Sequence, residues 1–387
     1  MTPKKGRPEY IFVVEDKIGG VTYLNKNLIN NTTIRDEVFV KVILMDQVDG
    51  DHPRFPDRFL ADEMVRFKYS GLENRYSVLK RFHALLGTGP GAIICNEGLE
   101  MEAIYLFGAE KTVFQIVHDF YNIGLAVKFG AITDVYVTHT RLFRDVLLSS
   151  DPSTVQSFWL QHGVPIPEPD QGAKDAAVLK LIFAGRLVES KGVQELWGID
   201  RILKSEGIRA EWTIIGRGPL KDFLVDQWQG AGNITFASPD TNEEVMQIMA
   251  RHDLFVLPTR FEGSPVTVLE ALSSGLVPIV SDLPGGITEI VSADIGRRVP
   301  IGDTSAFAAA IAVFQQDRKL LREMSANCRA LAEKEFDILK TSNEYFRLFG
   351  RFAELKKANH ARSPIRIGFR LDKKWLPNAI VRFLRKW

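Results

Sequence analysis

Two carboxylates eight positions apart, Glu262 and Glu270, bracket the strongest chemical signal in the chain, the segment LFVLPTRFEGSPVTVLEALSSGLVPIVS over residues 254–281. An apolar run ending at Pro258 reads as a strand, a loop carries Glu262, and Gly263, Ser264, Pro265 and Val266 lead into a helix. Ser264 is the expected N-cap, with Pro265 at the first helical position, where its missing N–H costs nothing. Bare N–H groups in the first turn and the positive end of the helix dipole then make a site for a phosphate. Glu270 stands two turns along the same face, and its side chain leans back toward the N-terminus. Carboxylates do not bind phosphate, so both should meet hydroxyl groups of the same ligand. A sugar joined to a ribose through a pyrophosphate offers both kinds of partner. Taken singly, each glutamate also reads as an ordinary loop or solvated helix residue.

Cations and glycines follow other strand ends. In IFAGRLVESKGVQEL, residues 182–196, Arg186 and Lys191 stand five apart on a loop and could clamp a pyrophosphate, the guanidinium bidentately and the ammonium as a point charge. Ordinary surface cations would look the same. In IIGRGPL, Gly216 and Gly218 permit a tight turn and close backbone approach to a ligand. FASPDTNEE, residues 236–244, is a further base-contact candidate. Near the start, Ile18–Gly19–Gly20–Val21 opens a helix after the first strand; Gly19 and Gly20 could admit a phosphate, or form a plain turn. His118, in FQIVHDF, ends a strand beside Asp119 and reads as a structural hydrogen-bonder or a site residue.

Together these segments resemble the family-4 retaining glycosyltransferases, whose hallmark is an E-x7-E region; the landmarks occur in order over about residues 10–345. The resemblance implies the GT-B architecture, an α/β fold of two Rossmann-like domains facing a cleft. It places donor-sugar hydroxyls on Glu262, the ribose on Glu270 and the donor diphosphate on Arg186 and Lys191. The Gly216–Gly218 loop would lie beside the nucleotide, Gly19 and Gly20 would match the first glycine loop, and His118 would hydrogen-bond a sugar hydroxyl. The implied catalytic set is His118, Glu262, Arg186 and Lys191. The donor is a nucleotide-diphosphate sugar of UDP or GDP type, no cofactor is required, and the acceptor is a glycan or a lipid-linked glycan. Two segments depart from the pattern: His162–Gly163–Val164 replaces the usual Asn-Gly-Val, and Thr138–His139–Thr140 stands where many members carry serine. Asp49–Gly50–Asp51 is a DxD, a metal-holding motif elsewhere, but it is far in sequence from the anion-binding segment, so no metal is assigned.

The elements that must position these residues alternate. Short β-rich runs at Tyr10–Val14, Val38–Leu44, Ala92–Cys95, Thr112–Val117 and Asp134–Thr138 are separated by helical patterns such as Val21–Ile29 and Asn74–Leu86. After a Pro-rich break at Pro165–Ala177 the alternation restarts with Val178–Ala184, Glu211–Ile215, Asn233–Phe236, Leu254–Leu257 and Val277–Val280. Such alternation implies parallel sheets with crossover helices. The expected division is an acceptor-side domain over 1–168, a nucleotide-sugar domain over 169–345, and a helical return with a basic tail over 346–387.

At 387 residues the chain exceeds the size of a usual single core. Its two cysteines, Cys95 and Cys328, have no metal or disulfide spacing and suit a reducing compartment. No run approaches the roughly 18 apolar residues of a membrane span, so a cytoplasmic protein is expected. The net charge of +1 conceals eight Lys/Arg and one Asp between Arg362 and Trp387, which leaves the remainder acidic and disfavours nucleic acid as a partner. Leu376, Ile380, Phe383, Leu384 and Trp387 share one helical face, with Arg382, Arg385 and Lys386 elsewhere. This tail would either lie on the inner face of a membrane or pack back on the N-terminal domain. Rival readings are a sugar-nucleotide epimerase and a non-catalytic nucleotide-sugar binder tethered by the tail.

Overall fold

The computed structural model describes residues 6–50, 53–56, 58–150, 156–168, 178–357, 365, 367–368 and 370–385. The chain divides into two units, one formed by Met1–Gly163 and Leu339–Trp387, the other by Val164–Ile338.

The first unit is built on seven parallel strands: β1 (Glu9–Glu15), β2 (Phe39–Gln47), β3 (Glu63–Tyr69), β4 (Gly91–Cys95), β5 (Thr112–Val117), β6 (Val135–Thr138) and β7 (Ser157–Trp159), in the order β3-β2-β1-β4-β5-β6-β7. The central strands β4, β5 and β6 are buried along their whole length, because crossover helices cover both faces of the sheet. That is why they read in the sequence as apolar-rich runs, with Thr112, Gln115 and Thr138 the buried polar exceptions. The second unit carries β8 (Leu179–Ala184), β9 (Ala210–Ile215), β10 (Ile234–Ala237), β11 (Leu254–Leu257), β12 (Val277–Ser281) and β13 (Arg297–Val299), ordered β10-β9-β8-β11-β12-β13. Each sheet reverses its strand order once, at β1/β4 and at β8/β11. Ligands of open α/β sheets bind beside such a reversal, at the carboxyl ends of the strands.

Three strands have no counterpart in the sequence reading: β3, β7 and β13, each at an edge of its sheet. In EMVRFKY the charged positions alternate with apolar ones and Met64 is 52% exposed, so β3 lacks the apolar run that marks an interior strand. The other two are only three residues long.

Composition sets the domain breaks after 168 and 345, whereas the units part at Gly163/Val164 and Ile338/Leu339. The helix Ile338–Gly350 belongs almost wholly to the first unit because its aromatic face packs on that sheet. Phe346 stacks on Phe12 with ring centroids 5.9 Å apart, and Phe349 meets Phe114 edge-on at 5.2 Å. Asn343 Oδ1 also accepts from Thr32 Oγ1 at 2.9 Å. Among the described residues no helix is long and apolar enough to cross a membrane.

Candidate functional site

In the second unit, the loops that follow β8 and β11 meet at the strand-order reversal. Lys191 Nζ lies 2.5 Å from Glu262 Oε1, an ion pair whose side chains are only 19% and 9% exposed. The backbone binds the same loops: Arg260 N donates to Ser190 O at 2.8 Å, and Thr259 Oγ1 to the same carbonyl at 3.1 Å. Gly192 makes the approach possible, with φ +66°; a Cβ there would stand 1.8 Å from Pro258 O. Arg186, five residues before Lys191, is exposed and has no ion-pair partner among the described residues. The two cations therefore differ: Lys191 is held by Glu262, and Arg186 stands ready for an anion.

The glycines of the β9 loop serve contact between loops. A Cβ on Gly216 would lie 1.9 Å from Gly185 O, and one on Gly218 2.4 Å from Leu187 O. Leu187 N donates to Arg217 O at 2.9 Å, so the Gly216–Gly218 loop is laced directly to the loop that carries Arg186. Segment 236–244 joins the same edge. Ser238 Oγ donates to Gly216 O, Arg217 pairs with Asp240 at 2.6 Å, and Thr241 caps the next helix by accepting from Glu244 N.

The helix after β11 spans Val266–Ser273, one residue shorter at its start than expected. Pro265 occupies the N-cap with ψ 80°, outside the helical range, and Ser264 makes no capping bond. Val266 N instead turns back to Ser264 O at 2.9 Å, a tight turn. The N–H groups of Gly263, Ser264 and Thr267 have no hydrogen-bond partner among the described residues. An uncapped terminus with free donors is the better anion site, because nothing must be displaced. Glu270 is 7% exposed, and burial pushes its carboxyl up to about 7, against one opposing hydrogen bond from the Asn242 side chain. One residue escaped the sequence reading here. A Cβ on Gly286 would meet Pro265 Cδ at 2.5 Å and Gly263 O at 2.8 Å, so this glycine floors the Gly263–Pro265 turn. The Pro-Gly-Gly triplet at 284–286 was the available signal.

In the first unit, Gly19 and Gly20 follow β1 at the reversal point, and a Cβ on either would meet nothing within 4 Å. His118 is 8% exposed and both its ring nitrogens are engaged: Nε2 faces Asn96 Oδ1 at 2.9 Å and Nδ1 faces His139 Nε2 at 3.1 Å. His162 stacks on His139 with ring centroids 3.7 Å apart. The two departures from the family pattern thus converge on His118, a proximity that positions 118, 139 and 162 do not announce. Asp119 caps the following helix by accepting from Asn122 N at 3.1 Å.

Asp49 spends its carboxylate on Ser70 Oγ and Gly71 N, bonds that hold it below the usual carboxylate range. Asp51 lies outside the described residues, as do positions 169–177 of the Pro-rich break, Lys386 and Trp387. The tail helix Asn378–Arg385 packs on the first unit: Val381 is fully buried, Arg385 pairs with Asp372 at 2.8 Å, and Asn378 Oδ1 accepts from Asn74 N at 2.6 Å. Its outer face still presents Ile380, Phe383 and Leu384, which with nearby Trp375 are 46%, 63%, 47% and 77% exposed.

Residues 168–331 match the family described as Glycosyl transferases group 1. The amylovoran biosynthesis glycosyltransferase AmsK of Erwinia amylovora is 31% identical over 169 residues, 41% of each chain. The lipopolysaccharide core biosynthesis mannosyltransferase LpsB of Rhizobium meliloti is 40% identical over 167 residues, 40% of this chain and 46% of that one. The matched region thus spans less than half the length of these curated relatives. Anabaena Alr3699/HepE, solved in complex with UDP, superposes with a TM-score of 0.68 at 15% identity over 88% of this chain and 99% of its own. With the two parallel-sheet units, this similarity establishes the GT-B architecture of two Rossmann-like domains.

Proposed function

We propose that the chain is a retaining glycosyltransferase. It moves a hexose-type sugar from a nucleotide-diphosphate sugar of UDP or GDP type to a glycan or lipid-linked acceptor in bacterial surface polysaccharide synthesis. The observation that carries this reading is the meeting of Arg186, Lys191, Glu262 and the uncapped helix N-terminus at one strand-order reversal, within the region that matches the group 1 transferases.

In this reading Arg186 and the free N–H groups of Gly263, Ser264 and Thr267 take the diphosphate. An ammonium has three N–H donors, so Lys191 can keep Glu262 on one and offer others to phosphate oxygens. Glu262, fixed in place by that bond, accepts from donor-sugar hydroxyls, and Glu270 accepts from the ribose. Gly216, Gly218, Pro265 and Val266 shape the backbone around the nucleotide; in the first unit, Gly19 and Gly20 would admit a phosphate and His118 would hydrogen-bond a sugar hydroxyl. For a sugar hydroxyl to bond the His118 ring, it must displace Asn96 or His139.

Transfer develops positive charge on the sugar and negative charge on the departing diphosphate. Arg186, Lys191 and the helix terminus stabilise the latter, usually the largest catalytic contribution. The acceptor hydroxyl attacks the anomeric carbon on the face the diphosphate leaves. Its proton passes to a diphosphate oxygen as the C–O bond to the donor breaks, and configuration is retained. The exposed apolar row of the tail, set among Lys373, Lys374 and Arg382, would hold the enzyme peripherally on an anionic membrane surface where lipid-linked acceptors reside.

The test is thermal stabilisation by UDP, GDP, ADP and their sugars, with and without Mg²⁺. A shift with one nucleotide, independent of metal and lost in Arg186→Ala, supports the donor site. NMR of the product then reads the anomeric configuration, and an inverted product overturns retention.

A further inference from the structure

Three imidazoles meet where three neighbouring parallel strands of the first unit end. His118 directly follows β5, His139 directly follows β6, and His162 comes three residues after β7; their relative exposures are 8%, 4% and 4%. One nitrogen from each lies within 4.8 Å of the other two.

The groups around them leave ring nitrogens available to one another. Asn96 Nδ2 donates to Val13 O at 2.8 Å, which leaves Asn96 Oδ1 as the acceptor facing His118 Nε2 at 2.9 Å. His118 therefore carries a hydrogen on Nε2, and in the neutral ring Nδ1 is bare. His139 Nδ1 lies 3.1 Å from the carbonyl of Leu160 and 2.9 Å from Tyr345 Oη, and its Nε2 faces His118 Nδ1 at 3.1 Å. With the His139 hydrogen on Nδ1, donated to Leu160 O, both facing nitrogens present lone pairs, the arrangement a metal ion between them requires. Beside them His162 Nδ1 is buried with no hydrogen-bond partner among the described residues.

We propose that His118, His139 and His162 bind one divalent transition-metal ion of the zinc class through three neutral imidazole nitrogens. Three histidines with a fourth position left to water or a ligand form a recurrent zinc donor set. The outer shell is in place, since metal-bound imidazoles ordinarily donate their second N–H to a carbonyl or amide oxygen. Asn96 Oδ1 and Leu160 O do this for His118 and His139. Metal–nitrogen bonds of about 2.0–2.1 Å in a tetrahedral site put donors roughly 3.4 Å apart, so His162 must close toward the other two on binding. This site is separate from the Asp49–Gly50–Asp51 motif; it shares His118 with the proposed sugar-transfer site, but its test reads bound metal and not transfer.

The full-length protein, stripped with chelator, is dialysed against micromolar Zn²⁺ and its bound metal counted. X-ray absorption of the loaded protein then reports the ligands. The expected result is one zinc per chain, surrounded by imidazole nitrogen, with affinity at least tenfold lower in His139→Ser and His162→Asn. The second installs the asparagine that the resembling family carries there, and circular dichroism of the metal-free variants reports their folding. Substoichiometric binding by the wild-type chain, a zinc shell without three imidazoles, or equal affinity in folded variants overturns the proposal.

Discussion

Lys191 and Glu262, 71 residues apart in the chain, form a 2.5 Å ion pair that joins the loop after β8 to the loop after β11. The pair is mostly withdrawn from water, so each charge depends on the other. Two motifs that look separate in the sequence are one electrostatic unit in the fold.

Lys191→Ala strands the Glu262 carboxylate, and breaking a buried pair on one side costs roughly 3–5 kcal/mol. Adding Glu262→Gln removes the stranded charge, so the double variant should regain part of that loss. Denaturant unfolding of the two single variants and the double variant measures the coupling. Additive effects would mean that the two side chains act independently.

Glycines of the β9 loop and of the loop after β1 should respond differently to alanine. At Gly216 and Gly218 a Cβ would overlap the backbone carbonyls of Gly185 and Leu187, and φ is +151° and +156°. Gly216→Ala and Gly218→Ala should lower stability by about 2 kcal/mol or more each. Gly19→Ala and Gly20→Ala enter open space and should stay within about 0.5 kcal/mol. Thermal melts separate the pairs; loss of nucleotide-sugar affinity in the stable Gly19 and Gly20 variants would mark a ligand contact.

Burial raises Glu270 to about 7 from an ordinary 4.5, so between those values the folded chain keeps a proton that the unfolded chain has released. Its contribution to stability is therefore complete below pH 4.5, declines as pH rises toward 7, and is flat above. Glu270→Gln has nothing to ionise. The variant should gain on the wild type by about 3 kcal/mol between pH 4 and pH 8. Unfolding curves at the two pH values check this, and an equal difference at both would show an unperturbed carboxyl. If the ribose hydroxyls bind the carboxylate, nucleotide binding at pH 6.5 should also release a proton, measurable by titration calorimetry in buffers of different ionisation enthalpy.

The tail separates docking from display. Arg385→Ala removes the pairing with Asp372 and the bond to Gly71 O, and should loosen the helix from the first unit. Trp375→Ser with Phe383→Ser should leave thermal stability unchanged while weakening co-sedimentation with phosphatidylglycerol vesicles several-fold. Equal sedimentation of the double variant and the wild type would remove the membrane role of this face.

Much of the fold was legible because interior parallel strands are predominantly apolar. Thr112–Val117 and Leu254–Leu257 are read from the sequence with the bounds they have in the structure. The edge strand β3 was not, since one of its faces meets solvent and its alternating charges resemble a loop or a helix. The tail helix was foreseen as amphipathic. Packing back on the N-terminal domain was one of its two readings, but the contacts of Asn378 and Arg385 were not legible, because they reach Asn74 and Gly71, some 300 positions away.

What the sequence determined by itself is local: the strand–loop–helix order, the glycines at turns, and the residue types that could bind a diphosphate sugar. Side chains near one another in the chain fix periodicity and capping, and those signals survive without the fold. Tertiary structure alone decided which distant groups share a charge or a proton. It paired Lys191 with Glu262, set Gly286 beneath Pro265, and gathered His118, His139 and His162 at the ends of three strands. These are decided by strand order, because parallel strands bring the same edge of every crossover to one side of the sheet.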